Sequence, residues 1–178
     1  TYTRFLDLQK AEAQAREAQI EASLERVRAS AMAMHRSDEL SNVLAILFEQ
    51  FDVLKIRPVD VHLDLFDLEK NTFSYRATGK EGKRVIDEQI VDLGSRPEWL
   101  ALLQKWKKGK PNTVDFSYYP KEVIKELMAF FPDIWAAMPG DAIMSPEDFP
   151  DGIFDALGFC KFGYIGFHHH RKATEEER

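Results

Sequence analysis

The chain has 178 residues, enough for one domain plus an appended helix, and with 44% hydrophobic and 12% aromatic residues it can fill a packed core. A net charge of -6 argues against a nucleic-acid surface and gives no general attraction to anionic lipid. The apolar stretches fall far short of the ~20 residues of a spanning helix, no signal peptide opens the chain, and Cys160 is the only cysteine, so an internal disulfide is excluded and a cytoplasmic location is expected.

The chain begins inside a charged, Ala-rich helical pattern that runs to about Arg36. Leu6, Ala13, Ile20, Val27 and Met34 recur at intervals of seven, with Leu24 and Ala31 beside them, and the rest of the surface carries mixed charge such as Glu12 and Arg16. This seam is expected to form a shallow homodimeric coiled coil through Leu6, Ala13, Ile20, Leu24, Val27 and Met34. The plainer alternative is an amphipathic helix folding back on its own domain. Ser37 can cap a second helix, or a bent continuation of the first, whose Leu40, Val43, Leu44, Leu47, Phe48, Phe51 and Leu54 share one face.

After Pro58 the period changes. Val59, Val61, Leu63 and Leu65 alternate with Asp60, His62, Asp64 and Phe66, as in a strand with one buried face. Residues 67–71 read as a hairpin turn leading to a strand at Thr72–Ala77, in which Phe73, Tyr75 and Ala77 oppose Thr72, Ser74 and Arg76. A third strand is expected from Lys83 to about Leu93. Pro97 starts a helix with Trp99, Leu102, Leu103 and Trp106 at helical spacing, stopped by Gly109 and Pro111. Thr113–Tyr118 reads as a strand, Pro120 opens another helix, and Pro132–Pro150 reads as a long loop or lid rich in apolar residues. Ile153–His169 reads as two antiparallel strands turning near Lys161–Gly163, and Thr174–Glu177 has the form of a capping box. The order predicts an α+β domain, an antiparallel sheet with helices on one face and connections over the other. A chain entered and left by helices is expected to be one link of a longer signalling protein.

The segment Glu25–Leu40, ERVRASAMAMHRSDEL, with the Leu/Phe helix through Leu54, resembles the linker and first helix of GAF-like domains of bacterial sensor histidine kinases. Gly163–Phe167, GYIGF, and Thr174–Glu177 resemble the last strand and the start of the exit helix of the same domains. Tyr2–Ala13 resembles the exit helix of a preceding domain, which implies a tandem arrangement. The likeness brackets the chain at both ends, and its middle carries no motif of a known ligand class. The resemblance implies three parts: a signalling helix at 1–36, a PAS/GAF-type domain at 37–173 with a six-stranded antiparallel sheet, and a connecting helix starting at 174–178. It also implies helices on one side of the sheet and a small-molecule pocket on the other, and a non-catalytic role. Dimerisation would run through the flanking helices, and any kinase chemistry of a two-component system would reside in other domains of the parent.

Among the side chains that could carry chemistry, His62 and Asp64 share a strand face. With Arg76 on the neighbouring strand they can orient a polar ligand, or that face is simply wet. Trp99, Tyr118 and Trp135 fall in segments that would roof such a pocket, or serve as core aromatics. His168, His169 and His170 are adjacent on a strand and so cannot all share a face; with no second cluster to complete a site they read as a solvated strand end, and no metal and no cofactor are expected. His35 reads as a hinge residue. Cys160 reads as an inert thiol, which weakens the alternative of a small sulfoxide-reductase-like enzyme. Lys105, Lys107, Lys108 and Lys110 lack a phosphate loop, and no nucleophile elbow, zinc-protease motif or P-loop is present. The expected function is a cytoplasmic sensory module that binds a small molecule and works with adjacent domains of its own chain, without nucleic acid and without membrane insertion. The alternative is a dimerisation spacer whose pocket is filled by its own aromatics.

Overall fold

The computed structural model describes residues 2–36, 39–82, 85–122, 124–125 and 145–171. Helix α1 (Tyr2–Ala33) and helix α2 (Leu40–Val53) form an antiparallel hairpin, in which Gln19 Nε2 donates to the Val53 carbonyl at 3.1 Å. The turn between them is held by Glu39, whose carboxylate accepts from the amides of His35 at 2.7 Å and Arg36 at 3.3 Å. Ser37, the predicted cap, lies outside the described residues.

Arg16, Ile20, Ser23, Val27 and Ser30 are the positions of α1 that lose exposure, spaced by four and three along the side turned to α2. Ser23, buried at the centre, lets the two backbones approach. Ile20 and Val27 therefore pack within the chain, as the plainer alternative for the seam required. Met34 lies one residue past the helix end and is half-buried. Leu6, Ala13 and Leu24 are exposed, as are Tyr2, Phe5 and Leu8 at the start of the helix.

Six strands form one antiparallel sheet: β1 (Asp60–Asp67), β2 (Thr72–Thr78), β3 (Val85–Asp92), β4 (Val114–Tyr119), β5 (Ile153–Cys160) and β6 (Gly163–His169), in the order β3-β2-β1-β6-β5-β4. The α+β class and the strand sequence agree with the pattern read from the chain. Asn71 closes the β1–β2 turn at φ 56°, a left-handed conformation that Asn tolerates, and Asp67 accepts from the Lys70 amide at 3.1 Å within it. The first and last strands pair at the centre, His62 opposite Gly166 and Asp64 opposite Tyr164.

Both faces of the sheet are covered. Helix α2 lies over β1, β2 and β3, and its Phe51 ring sits 5.0 Å from Phe167, the partner of Val61 on β6. The aliphatic residues of β1 thus face the helical hairpin. On the other face lies helix α3 (Pro97–Lys108), begun by Pro97 and ended at Gly109. Its Trp99 ring lies 5.1 Å from Phe73 and its Trp106 ring stacks at 4.9 Å on Phe66, while Trp106 Nε1 donates to the Cys160 carbonyl at 3.0 Å. Lys105 ties the helix to β4 through Asp115 at 3.2 Å and Ser117 at 3.0 Å. Of the expected loop or lid, residues 132–144 lie outside the described residues. Its end forms a single turn at Pro146–Asp148, with a capping box at Ser145 and an ion pair from Asp148 to Lys80. No described helix is long and apolar enough to cross a membrane.

Candidate functional site

Directly opposed residues of an antiparallel pair point to the same side of a sheet, so strand register decides which side chains can meet. On β1, Asp60, His62 and Asp64 face away from the helical hairpin. Register brings to them His168, Gly166 and Tyr164 from β6, Ala77 and Tyr75 from β2, and Asp155 from β5, which stands opposite His168. The outcome is a cluster of three aspartates, two histidines and two tyrosines inside the domain. Asp60 is fully buried, and His62, Asp64 and Asp155 are 6%, 3% and 7% exposed.

Asp60 and His168 form its tightest pair. Asp60 Oδ1 lies 2.8 Å from His168 Nδ1 and also accepts from the His168 amide at 3.2 Å. The two imidazoles stack at 4.9 Å, and His62 Nε2 lies 3.8 Å from Asp64 Oδ2. Tyr75 and Tyr164 wall His62, each with its ring centre at 6.2 Å, and the Tyr164 hydroxyl donates to Asp64. Gly166 makes room for the imidazole, since a Cβ there would come within 2.5 Å of His62 Nε2. A larger residue on β6 would displace His62.

The cluster divides its charges unequally. Burial opposes ionisation of His168, but the charge and hydrogen bond of Asp60, with help from Asp155 and Asp64, outweigh it and raise the pKa to about 9. Burial likewise pushes Asp60 up, yet His168 prevails and Asp60 stays below the ordinary carboxylate value. His62 goes the other way, to about 3, because burial and the His168 charge both disfavour a second cation. Burial raises Asp155 and, further, Asp64; Tyr75 and Tyr164 rise well above the usual phenol range for the same reason. At neutral pH the site is thus an Asp60–His168 ion pair beside a neutral His62. Asp60 Oδ2, His62 Nδ1 and Asp155 Oδ1 are buried with no protein hydrogen-bond partner. Unsatisfied buried polar atoms are uncommon in folded proteins, and these three lie on residues that strand register gathers on one face of the sheet.

His62 and Asp64 are therefore brought together as the sequence predicted, and their face is buried, not wet. Arg76 is not with them. It opposes Leu63 on the helical-hairpin side, fully buried, with Nη2 2.7 Å from Glu88 Oε1. The sequence reading matched polar residues with polar residues across the hairpin, whereas register sets His62 against Ala77. Trp99 lies on the correct face but is 2% exposed against Phe73, a core residue. Tyr118 belongs to edge strand β4, on the side opposite Ser117 and Asp155, half exposed and stacked on Phe154 at 4.7 Å. It does not reach the cluster. Trp135 lies outside the described residues. The reading of His168–His170 as a solvated strand end holds only for the exposed His170, because His169 is buried with Nε2 2.7 Å from the Ile56 carbonyl and His168 is held by Asp60.

No family model, no curated protein and no solved structure matches the chain.

Proposed function

We propose that the chain is a sensory module of a multidomain signalling protein, related to the GAF-like domains of histidine kinases, and that its ligand occupies the Asp60–His62–His168 face of the sheet. The observation that carries this reading is the buried cluster with its three unpartnered polar atoms, set on the same strands whose opposite face carries the α1–α2 hairpin. Strand β1 joins the two, with His62 and Asp64 on one side and Val61 and Leu63 on the other. A ligand that prefers one register or tilt of β1 and β6 shifts the hairpin by its differential affinity for the two packings. The exposed apolar start of α1, with Phe5, Leu6 and Leu8, suits a contact with a second copy or an adjacent domain. The module itself is non-catalytic, works in the cytoplasm, and leaves any phosphotransfer to other parts of its parent.

The dimerisation spacer is favoured by one observation, the aromatic filling of the same face by Phe66, Phe73, Trp99 and Trp106. Hydrogen exchange separates the two readings. The chain as purified from cells is compared with the same chain after unfolding, dialysis and refolding. A sensor loses protection in β1 and β6 and changes protection in α1 and α2 as well, while a spacer gives two identical maps.

A further inference from the structure

We propose that Asp60, His62 and His168 bind a divalent first-row transition-metal ion. The inference rests on the cluster assigned above and supplies a ligand class for the sensory reading. Among the described residues, these three each offer a donor atom, and the atoms lie within 4.8 Å of one another. Two imidazoles and one carboxylate, with no thiolate, suit ions such as Zn2+ and Fe2+ and leave coordination positions open for water or a further ligand. Metal–nitrogen and metal–oxygen bonds of about 2.1 Å separate the donors of a tetrahedral site by about 3.4 Å. Asp60 Oδ1 and His168 Nδ1, now 2.8 Å apart, need to part only slightly, and the His62 donor lies within 4.8 Å of the donors of Asp60 and His168.

Acidic and histidine side chains gather on many surfaces without holding an ion, so the argument depends on what is unusual here. Asp60 is fully buried and His62 is 6% exposed, yet Asp60 Oδ2 and His62 Nδ1 have no protein partner. Asp155, 7% exposed, stands beside His168 with Oδ1 also unpartnered. His62 Nε2 lies 3.8 Å from Asp64 Oδ2, close to the arrangement in which a carboxylate orients the far nitrogen of a metal-bound imidazole. The donors come from adjacent paired strands, β1 and β6, so the backbone fixes their spacing before any ion arrives. Gly166 leaves the room that the His62 ring occupies, since a Cβ there would lie 2.5 Å from His62 Nε2.

The test uses the metal-stripped full chain with Zn2+ in competition against a chromophoric chelator, and Co2+ in parallel by NMR. The expected result is one Zn2+ per chain, weakened more than ~100-fold in both His62→Gln and Asp60→Asn and unchanged in His170→Gln and His35→Gln. Circular dichroism checks that each variant is folded. Independently of any variant, Co2+ must broaden the ring protons of His62 and His168 in the wild-type chain before those of His35, His169 and His170. Broadening that starts at His170, or binding that survives both cluster variants, shows an adventitious surface site and overturns the proposal, as does no binding at all. Hydrogen exchange on the Zn2+-loaded chain then separates the two claims. Tight binding at His62 and His168 with no change in α1 or α2 keeps the metal site and removes the relay, whereas a ligand of another kind recovered from cells, with no Zn2+ bound, keeps the sensor and removes the metal.

Discussion

Replacing Gly166 by alanine tests the packing on which the buried cluster depends. The new methyl carbon would lie 2.5 Å from His62 Nε2, 2.7 Å from His62 Cε1 and 2.6 Å from Leu157 Cδ2, against the ~3.5 Å or more of an ordinary contact. It is squeezed from both sides, because His62 and Leu157 are the residues that β1 and β5 place directly opposite position 166. His62 has little room to retreat, with His168 stacked at 4.9 Å and the rings of Tyr75 and Tyr164 at 6.2 Å. Overpacking of this kind costs ~1–3 kcal/mol, and relief of the glycine's conformational freedom in a strand returns ~0.5–1 kcal/mol. A net loss of about 1–2 kcal/mol is expected in urea unfolding, with an unchanged dependence on denaturant. In a His62→Ala background the contact with the imidazole is gone and that with Leu157 Cδ2 remains, so the penalty should shrink by about 1 kcal/mol, a coupling that a double-mutant cycle resolves. An equal penalty in both backgrounds, or a Gly166→Ala chain as stable as the parent, would refute the placement of His62 over Gly166.

Three further outcomes follow from the same geometry. In chelated, metal-free buffer, stability should fall as pH rises from 6.5 to 9. His168 has a folded pKa of about 9, above its unfolded 6.5, so its contribution is complete below pH 6.5 and is lost, at about 3 kcal/mol, as the folded form gives up its proton. Asp64 and Asp155 are also raised, so their contributions are lost as pH rises from the ordinary carboxylate range upward, while the low pKa of His62 matters only below pH 6.5. Urea melts at the two pH values should show the loss in the parent and a shallower one in Asp60→Asn; equal slopes would contradict the ion pair. Arg76→Met, on the hairpin side of the sheet, should leave the properties of the cluster unchanged, and a weaker hold on any ligand bound at His62 would place Arg76 where the register does not. In α1, Ile20→Glu should destabilise the fold by about 1–3 kcal/mol because the residue packs inside the chain, whereas Leu6→Glu should alter only self-association by sedimentation. The reverse pattern would restore Ile20 to an intermolecular seam.

The parts of the fold that could be read from the chain are those governed by local period. Alternation at Val59–Phe66, the Pro97 and Gly109 boundaries of α3, and the turn at Lys161–Gly163 are written in neighbouring residues, and the elements lie there to within about two positions. The cluster is not local. His62 and His168 are more than a hundred residues apart and meet only through the β1–β6 register, which alternation alone does not specify. A usable signal lay in the last strand, where Tyr164, Gly166 and His168 alternate on one face as Asp64, His62 and Asp60 do on β1. Arg76 was misplaced because both faces of this sheet are covered, so polarity no longer tells inside from outside. The heptad seam is ambiguous for a related reason. A helix packing against α2 of its own chain and one packing against a second copy share the same period.

Native mass spectrometry of the chain as purified from cells, beside Asp60→Asn, tests most directly whether the buried Asp60–His62–His168 cluster is a ligand site. A mass excess on the parent that disappears on denaturation and is missing from the variant is the predicted result. A bare parent mass, or the same excess on both chains, would contradict it.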